Sequence, residues 1–216
     1  MKTVAIIQAR SGSSRLPNKV NMDLWGKTVL QRCVNRVNKA KTIDETWLAM
    51  PRYDKAIPID GKKHFGSEND VLSRYFWCAV EADAEIIVRI TADCPLIDPE
   101  IIDETVEFFL KSDGQYVSNR LEAPGYPDGQ DVEVFTFEAL NIAHAFSMDS
   151  YDREHVTPFI KDAFLTRAYK APVNLLDVRM TLDTIEDYDF LYGVVGKLIE
   201  KHGEKTWTLK EIMEVM

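Results

Sequence analysis

Residues 3–9, TVAIIQA, are almost continuously apolar and β-branched. Such a run predicts a strand covered on both faces, as in a parallel sheet. The period then changes. Over 28–40, Val29, Leu30, Cys33, Val34 and Val37 recur at helical spacing. TWLAM (46–50) predicts a second strand, stopped by Pro51. Residues 70–82 predict a helix capped by Asp70, with Val71, Leu72, Tyr75, Phe76 and Ala79 on one face. EIIVRI (85–90) is a third buried strand, followed by a helix over 98–111 with Asp98 as cap and Pro99 at its first position. Strands near 115–118 and 132–137 and helices near 138–147 and 152–163 follow. VRMTL (178–182) predicts a late strand. A long helix over 184–201 opens on Thr184 and Asp187, spaced as a capping box, and a short helix covers 208–215.

Strands and helices alternating at this spacing predict an α/β fold, a three-layer sandwich around a mainly parallel, mixed sheet. The 216 residues, 45% hydrophobic, suit a single domain over 1–216. The stretch 112–136, containing PGYPDGQD, is the candidate for an inserted loop or subdomain. No run approaches the roughly 20 apolar residues of a membrane span, and the start lacks signal-peptide features. Cys33, Cys78 and Cys94 are odd in number and without metal-ligand spacing, so they read as reduced thiols of a cytoplasmic protein.

Charge sharpens this picture. The chain carries a formal −9, which disfavours nucleic acid as a partner. Yet residues 1–22 hold Lys2, Arg10, Arg15 and Lys19 and no acid. Three of those cations stand in the loop 10–19, RSGSSRLPNK, directly after the first strand. In doubly wound sheets ligands bind beyond the carboxyl ends of strands. Gly12 and the neighbouring serines would let backbone N–H groups approach phosphate oxygens, and arginine and lysine would supply charge. The loop is neither a Walker A motif nor GxGxxG: GKT at 26–28 has Asn21 where Walker A needs glycine, and one glycine is too few for the second. On composition alone it reads equally as an exposed turn with solvated cations.

The stretch IIQARSGSSRLPNKV resembles the N-terminal signature of the cytidylyltransferases that activate acidic sugars, including the CMP-acylneuraminate and CMP-Kdo synthetases. It looks nearest to the branch named for spore coat polysaccharide biosynthesis protein F, and Gln8 agrees with that branch. The similarity continues in order through GSENDVLSRY (66–75), VRITADCPLIDPEIID (88–103), GQDVEVF (129–135), REHVTPFI (153–160) and RMTLDTIEDYDFL (179–191). It therefore covers nearly the whole chain, departing at Ala92, where the branch usually has glycine. The resemblance implies the nucleotide-diphospho-sugar transferase fold (GT-A, Rossmann-like) and a reaction joining CTP to a small sugar, with release of pyrophosphate. By that resemblance Arg10 and Lys19 hold the triphosphate, assisted by Arg15 and the backbone at Gly12 and Ser13. Backbone near Ala9 and Arg10 reads the base, and Ser67 or Asn69 adds to it.

Triphosphate chemistry normally uses Mg²⁺, which takes few protein carboxylates. Asp93 and Asp183 each follow a predicted strand, and Asp98 and Thr184 already serve as the local caps, so Asp93 and Asp183 are the candidate metal ligands. Asp183 is also a candidate base. Asp131 and Glu133 alternate with Val132 and Val134 and so share one strand face; by the resemblance they are candidate sugar or further metal contacts, against a reading as the solvated face of an edge strand, and Arg153 is the candidate to hold a sugar carboxylate. Two other readings compete: a glycosyltransferase, or a non-catalytic nucleotide-binding subunit. No DxD precedes residue 131, and DYD (187–189) falls inside a predicted helix. Similar enzymes are often dimers, which makes a homodimer the expectation.

Overall fold

The computed structural model describes residues 1–216, apart from the side chain of Ala56. Seven strands form one sheet: β1 (Thr3–Gln8), β2 (Glu45–Pro51), β3 (Lys62–Gly66), β4 (Ile86–Thr91), β5 (Tyr116–Ser118), β6 (Glu133–Thr136) and β7 (Thr166–Ala168). Their order is β3-β2-β1-β4-β6-β5-β7. Only β6 is reversed, pairing antiparallel with β4 and β5; the other pairs are parallel.

Strand periodicity of two sorts side chains between the two faces of the sheet. Ala5, Ile7, Leu48, Met50, Val88, Ile90 and Val134 pack under α1 (Val29–Val37) and α3 (Pro99–Lys111). Val4, Ile6, Trp47, Ile87 and Phe135 pack against α2 (Val71–Glu81), α4 (Phe137–Phe146) and, beyond the short α5 (Ser150–His155), α6 (Pro158–Ala163). The layers are thus helix, sheet, helix. A third cluster sits outside them, where α7 (Ile185–His202) and α8 (Leu209–Met213) close over Leu24, Met180 and Leu182.

The caps follow the sequence. Asp70, Asp98 and Thr184 each accept a hydrogen bond from a first-turn backbone N–H, and Thr184 and Asp187 form the reciprocal capping box. Three elements differ from expectation. Residues 178–182 alternate as a strand should, with Met180 and Leu182 buried, but they have no strand neighbour. Their backbone instead meets single loop residues: Val178 and Met180 exchange bonds with Asp128, and Leu182 N–H donates to the Asp93 carbonyl. The predicted helix 152–163 is two helices, interrupted at Val156 (φ 72°) ahead of Pro158, which has no N–H to continue the first. Strands β3 and β7 gave no apolar signal because they are the two edges of the sheet, half-covered and polar. No helix among the described residues is long and apolar enough to cross a membrane.

This topology gathers three ends at one rim. β1 stops at Gln8 and β4 at Thr91, paired side by side, and reversed β6 starts at Glu133, opposite Arg89.

Candidate active site

The loop after β1 is anchored rather than free. The Ser11 N–H donates to Asp54 Oδ2 at 2.8 Å and its hydroxyl donates to Oδ1 of the same carboxylate, while the Asn18 N–H donates to the Ser11 carbonyl at 2.8 Å. Asn18 takes the left-handed conformation that this closure needs (φ 61°). Gly12 is set by close approach: a Cβ there would lie 2.7 Å from Tyr53 Oη and 3.1 Å from Glu68 Oε1. Tyr53 in turn donates to Glu68 at 2.9 Å. Tyr53 and Asp54 left no local signal as supports, because they come from the turn after β2.

Lys19 points inward at the end of this loop and is buried. Its Nζ donates to Asp93 Oδ2 at 2.6 Å, to Asp183 Oδ1 at 2.9 Å and to the Leu182 carbonyl at 2.7 Å. Two carboxylates ninety residues apart in sequence therefore meet at one ammonium. Burial works against the charge on Lys19, but Asp93 and Asp183 outweigh it and its pKa is raised. For Asp183, burial is likewise outweighed, by Lys19, Arg179 and Arg15, and its pKa is lowered. Arg15 and Arg179 reach it at 2.9 and 2.7 Å.

A cavity of about 180 Å³ opens over this junction, lined by Arg10, Ser13, Arg15, Lys19, Asp93 and Asp183, with Gln8 and Ala92 beneath. Arg10 makes no ion pair among the described residues, so its charge is free for a ligand. The Ala9 N–H is taken by the Ala49 carbonyl at 3.2 Å, so a backbone contact from Ala9 to a ligand has to use its carbonyl.

A second cavity, of about 460 Å³, adjoins the first and shares Thr91 and Asp93 with it. Asp131 and Glu133 both line it. Their surroundings differ. Glu133 is the centre of a buried network: Arg89 donates to one oxygen, while Lys161 (3.0 Å), Thr157 (3.0 Å) and Tyr116 donate to the other. Burial alone would raise its pKa; Arg89 and Lys161 pull it to about 2. With its lone pairs so engaged, Glu133 holds Arg89 and Lys161 in place. Asp131 is pushed up to about 6 by burial, offset in part by the Gly129 N–H and by Arg120 at 2.8 Å.

Arg89, Arg120, Asp128 and Lys161 also line this cavity and were not singled out from the sequence. Arg89 alone left a trace, a charge inside an apolar strand; the others stand on separate segments that only folding joins.

Other candidates lie elsewhere. The Ser67 hydroxyl accepts from the Asp70 N–H, and neither Ser67 nor Asn69 lines either cavity; Glu68 between them is the residue that reaches the loop, through Tyr53. Arg153 is not brought to the cavities: it pairs with Asp70 at 2.7 Å and donates to the His144 and Ser147 carbonyls, tying α5 to the start of α2. Asp187 of the DYD triplet accepts from Arg179 and completes the α7 cap.

The donor set suits a hard divalent cation. Asp93 and Asp183 are the two carboxylates lining the first cavity, about a fifth exposed or less, and their oxygens share one ammonium. Mg²⁺ needs one or two such ligands when phosphate oxygens and waters supply the rest. Among the described residues no group of three or more His, Cys, Asp or Glu side chains could hold a metal by itself.

Comparison with known proteins identifies the family. A family model described as cytidylyltransferase matches residues 4–215. The spore coat polysaccharide biosynthesis protein SpsF of Bacillus subtilis is 30% identical over 219 residues, covering 93% of this chain and 87% of that protein. The structure of a cytidylyltransferase from Leptospira borgpetersenii serovar Hardjo-bovis superposes with a TM-score of 0.87 at 29% identity, over 100% of this chain and 93% of the other. A CMP:2-keto-3-deoxy-manno-octonic acid synthetase complexed with CTP superposes with a TM-score of 0.70 at 16% identity, over 91% and 99% of the two chains, a likeness of fold alone. The observed sheet and these neighbours bear out the nucleotide-diphospho-sugar transferase fold. Matched across nearly its whole length, the chain is a nucleotidyltransferase and belongs to the cytidylyltransferase family.

Proposed function

We propose that this protein transfers CMP from CTP to a small sugar, releasing pyrophosphate, and that the CMP-sugar feeds polysaccharide synthesis in the cytoplasm. One observation carries the reading: the Lys19 ammonium joins Asp93 and Asp183 beneath a cavity that also presents Arg10 and Arg15. Arg10, Arg15 and Lys19, with the backbone at Gly12, bind the triphosphate, while the Ser13 N–H is taken by the Ser11 carbonyl at 2.9 Å. Asp93 and Asp183 would hold Mg²⁺, which when bound neutralises phosphate charge and orients the α-phosphate. The cytidylyltransferase family match, and the relative named for polysaccharide biosynthesis, support the choice of nucleotide and product use.

The second cavity is the sugar site in this reading. Its shared wall at Asp93 brings a bound sugar next to the nucleotide, where positioning does most of the catalytic work. Arg120 and Lys161 suit an acidic sugar. Asp131, with a pKa of about 6, is better matched to accept a hydroxyl proton near neutral pH than Asp183, whose pKa is lowered.

A thermal-shift screen of CTP, UTP, GTP and ATP with Mg²⁺, followed by pyrophosphate release over a panel of acidic and neutral sugars, tests this. CTP alone is expected to stabilise the protein strongly, and an acidic sugar to give turnover. Equal stabilisation by all four nucleotides would remove the cytidine assignment.

The loop offers a second check. Gly12→Ala forces a methyl group against the Tyr53 hydroxyl, so either the loop or the Tyr53 side chain that supports it must shift. The KM for CTP is expected to rise about tenfold, a cost of roughly 1.4 kcal/mol. Adding Tyr53→Phe removes the clashing oxygen and should recover most of that loss. A KM unchanged in Gly12→Ala would show that this contact does not shape the site.

A further inference from the structure

A third cavity, of about 440 Å³, shares no lining residue with the two described above. It lies between α1 and the segment joining α7 to α8. Lys27, Arg32, Arg36, Lys39 and Lys205 line it, against the single carboxylate of Glu204. Five cations facing one acid is an unusual concentration in a chain of net charge −9.

The two arginines are built into the wall. Arg32 is 3% exposed and Arg36 is 5% exposed. Arg32 donates to the Leu24 and Trp25 carbonyls at 2.6 and 3.0 Å and to Glu204 at 3.1 Å. Arg36 donates from Nε to the Ile97 carbonyl and from Nη2 to the Trp207 carbonyl at 2.6 Å. Its Nη1 has no hydrogen-bond partner among the described residues and is not sealed from solvent.

The local acids do not balance this charge. Glu204 is already shared between Lys27 at 2.9 Å and Arg32. Lys205 pairs with Glu211 at 2.6 Å, and Lys39 makes no ion pair among the described residues. Burial, with Arg32 adding to it, lowers the Arg36 pKa to about 10 even though Asp98 and Glu204 act the other way. A buried guanidinium with a spare donor, in a preformed cavity with excess positive charge, is a site waiting for an anion.

We propose that this cavity binds a small phosphorylated anion, with Arg36 Nη1 as the buried donor and Lys27, Lys39 and Lys205 as the outer charges. The charge excess exceeds what a single carboxylate would neutralise. The net charge of −9 over the whole chain disfavours an extended polyanion such as nucleic acid.

Trp207 supplies the reporter. It is 1% exposed, lines the cavity, and lies 5.8 Å from the Arg32 guanidinium. Inorganic pyrophosphate titrated into the full-length protein should shift the Trp207 indole NMR resonance saturably, with assignment by Trp207→Phe. The exposed pair Lys39→Glu and Lys205→Glu should weaken that binding at least about tenfold while leaving CTP-dependent activity unchanged. Lys39→Glu alone, which breaks no ion pair, should weaken it in the same direction. No shift of Trp207 up to roughly 10 mM pyrophosphate would overturn the proposal. So would a titration unchanged in the double variant.

Discussion

Lys19→Ala is expected to lower turnover about a thousandfold, the scale associated with removing one preorganised charge from a developing oxyanion, while the chain still folds. Lys19 is the only side chain that touches both Asp93 and Asp183, and it lines the cavity beside Arg10 and Arg15. Its pKa is raised, so it stays cationic throughout the neutral range and faces an incoming triphosphate as a fixed charge. The fold should survive because Asp183 keeps Arg15 and Arg179, and Asp93 retains contact with solvent. Removing one partner of a buried ion pair costs about 3–5 kcal/mol, and these remaining contacts should hold the loss toward the lower end. Pyrophosphate release, CTP affinity by calorimetry and a thermal melt separate the two effects. Full turnover in a folded Lys19→Ala variant would remove the loop after β1 from the chemistry.

Asp93→Asn and Asp183→Asn should each reduce turnover about a hundredfold or more, with the half-saturating Mg²⁺ concentration raised. The two variants should differ in a second readout. Asp183 pairs with Lys19, Arg15 and Arg179, so Asp183→Asn takes one carboxylate from all three, leaving Lys19 with Asp93 and Arg179 with Asp128 and Asp187, and should lower the melting temperature. Asp93 pairs with Lys19 alone and should cost less stability. Mg²⁺ titrations of activity and of thermal stability, run on both variants, distinguish these outcomes. Activity that keeps its Mg²⁺ dependence unchanged in either variant would exclude that residue as a ligand. The lowered pKa of Asp183 also bears on its role: a carboxylate held ionised by three cations is a weak proton acceptor at neutral pH, which favours charge stabilisation over general base.

The third cavity would add a second anion-recognising surface. Arg36 reaches from it to the Ile97 carbonyl, within the same segment that carries Asp93. Two sites of one charge preference, one at the strand ends and one beside α1, are therefore four residues apart at this point of the chain.

Much of this was legible before any coordinates. Apolar runs at 3–9 and 85–90 fixed the two central strands, since strands flanked on both sides must be apolar on both faces. Asp70, Asp98 and Thr184 announced their helices because capping is a local interaction. The cationic loop stood out because its three charges fall within ten residues that hold no acid, in contrast with the rest of the chain. The edge strands β3 and β7 did not, because half-exposed strands have no need of apolar residues.

What local signals could not carry is which distant groups meet. Residues 178–182 have the alternation of a strand, yet they became the strut that delivers Asp183 to Lys19, because the partners available to their backbone are Asp128 and Asp93 rather than a neighbouring strand. Asp131 and Glu133 line one cavity, although Asp131 lies just ahead of β6; burial holds the first near 6 against the pull of Arg120, while Arg89 and Lys161 hold the second near 2, and these cations come from three other segments. The sequence by itself determined the inner strands, the caps and the cationic loop, since those depend on neighbours along the chain. Tertiary structure alone decided the pairing of charges, because Coulombic and hydrogen-bond energies depend on distances in space that only the packed sheet defines.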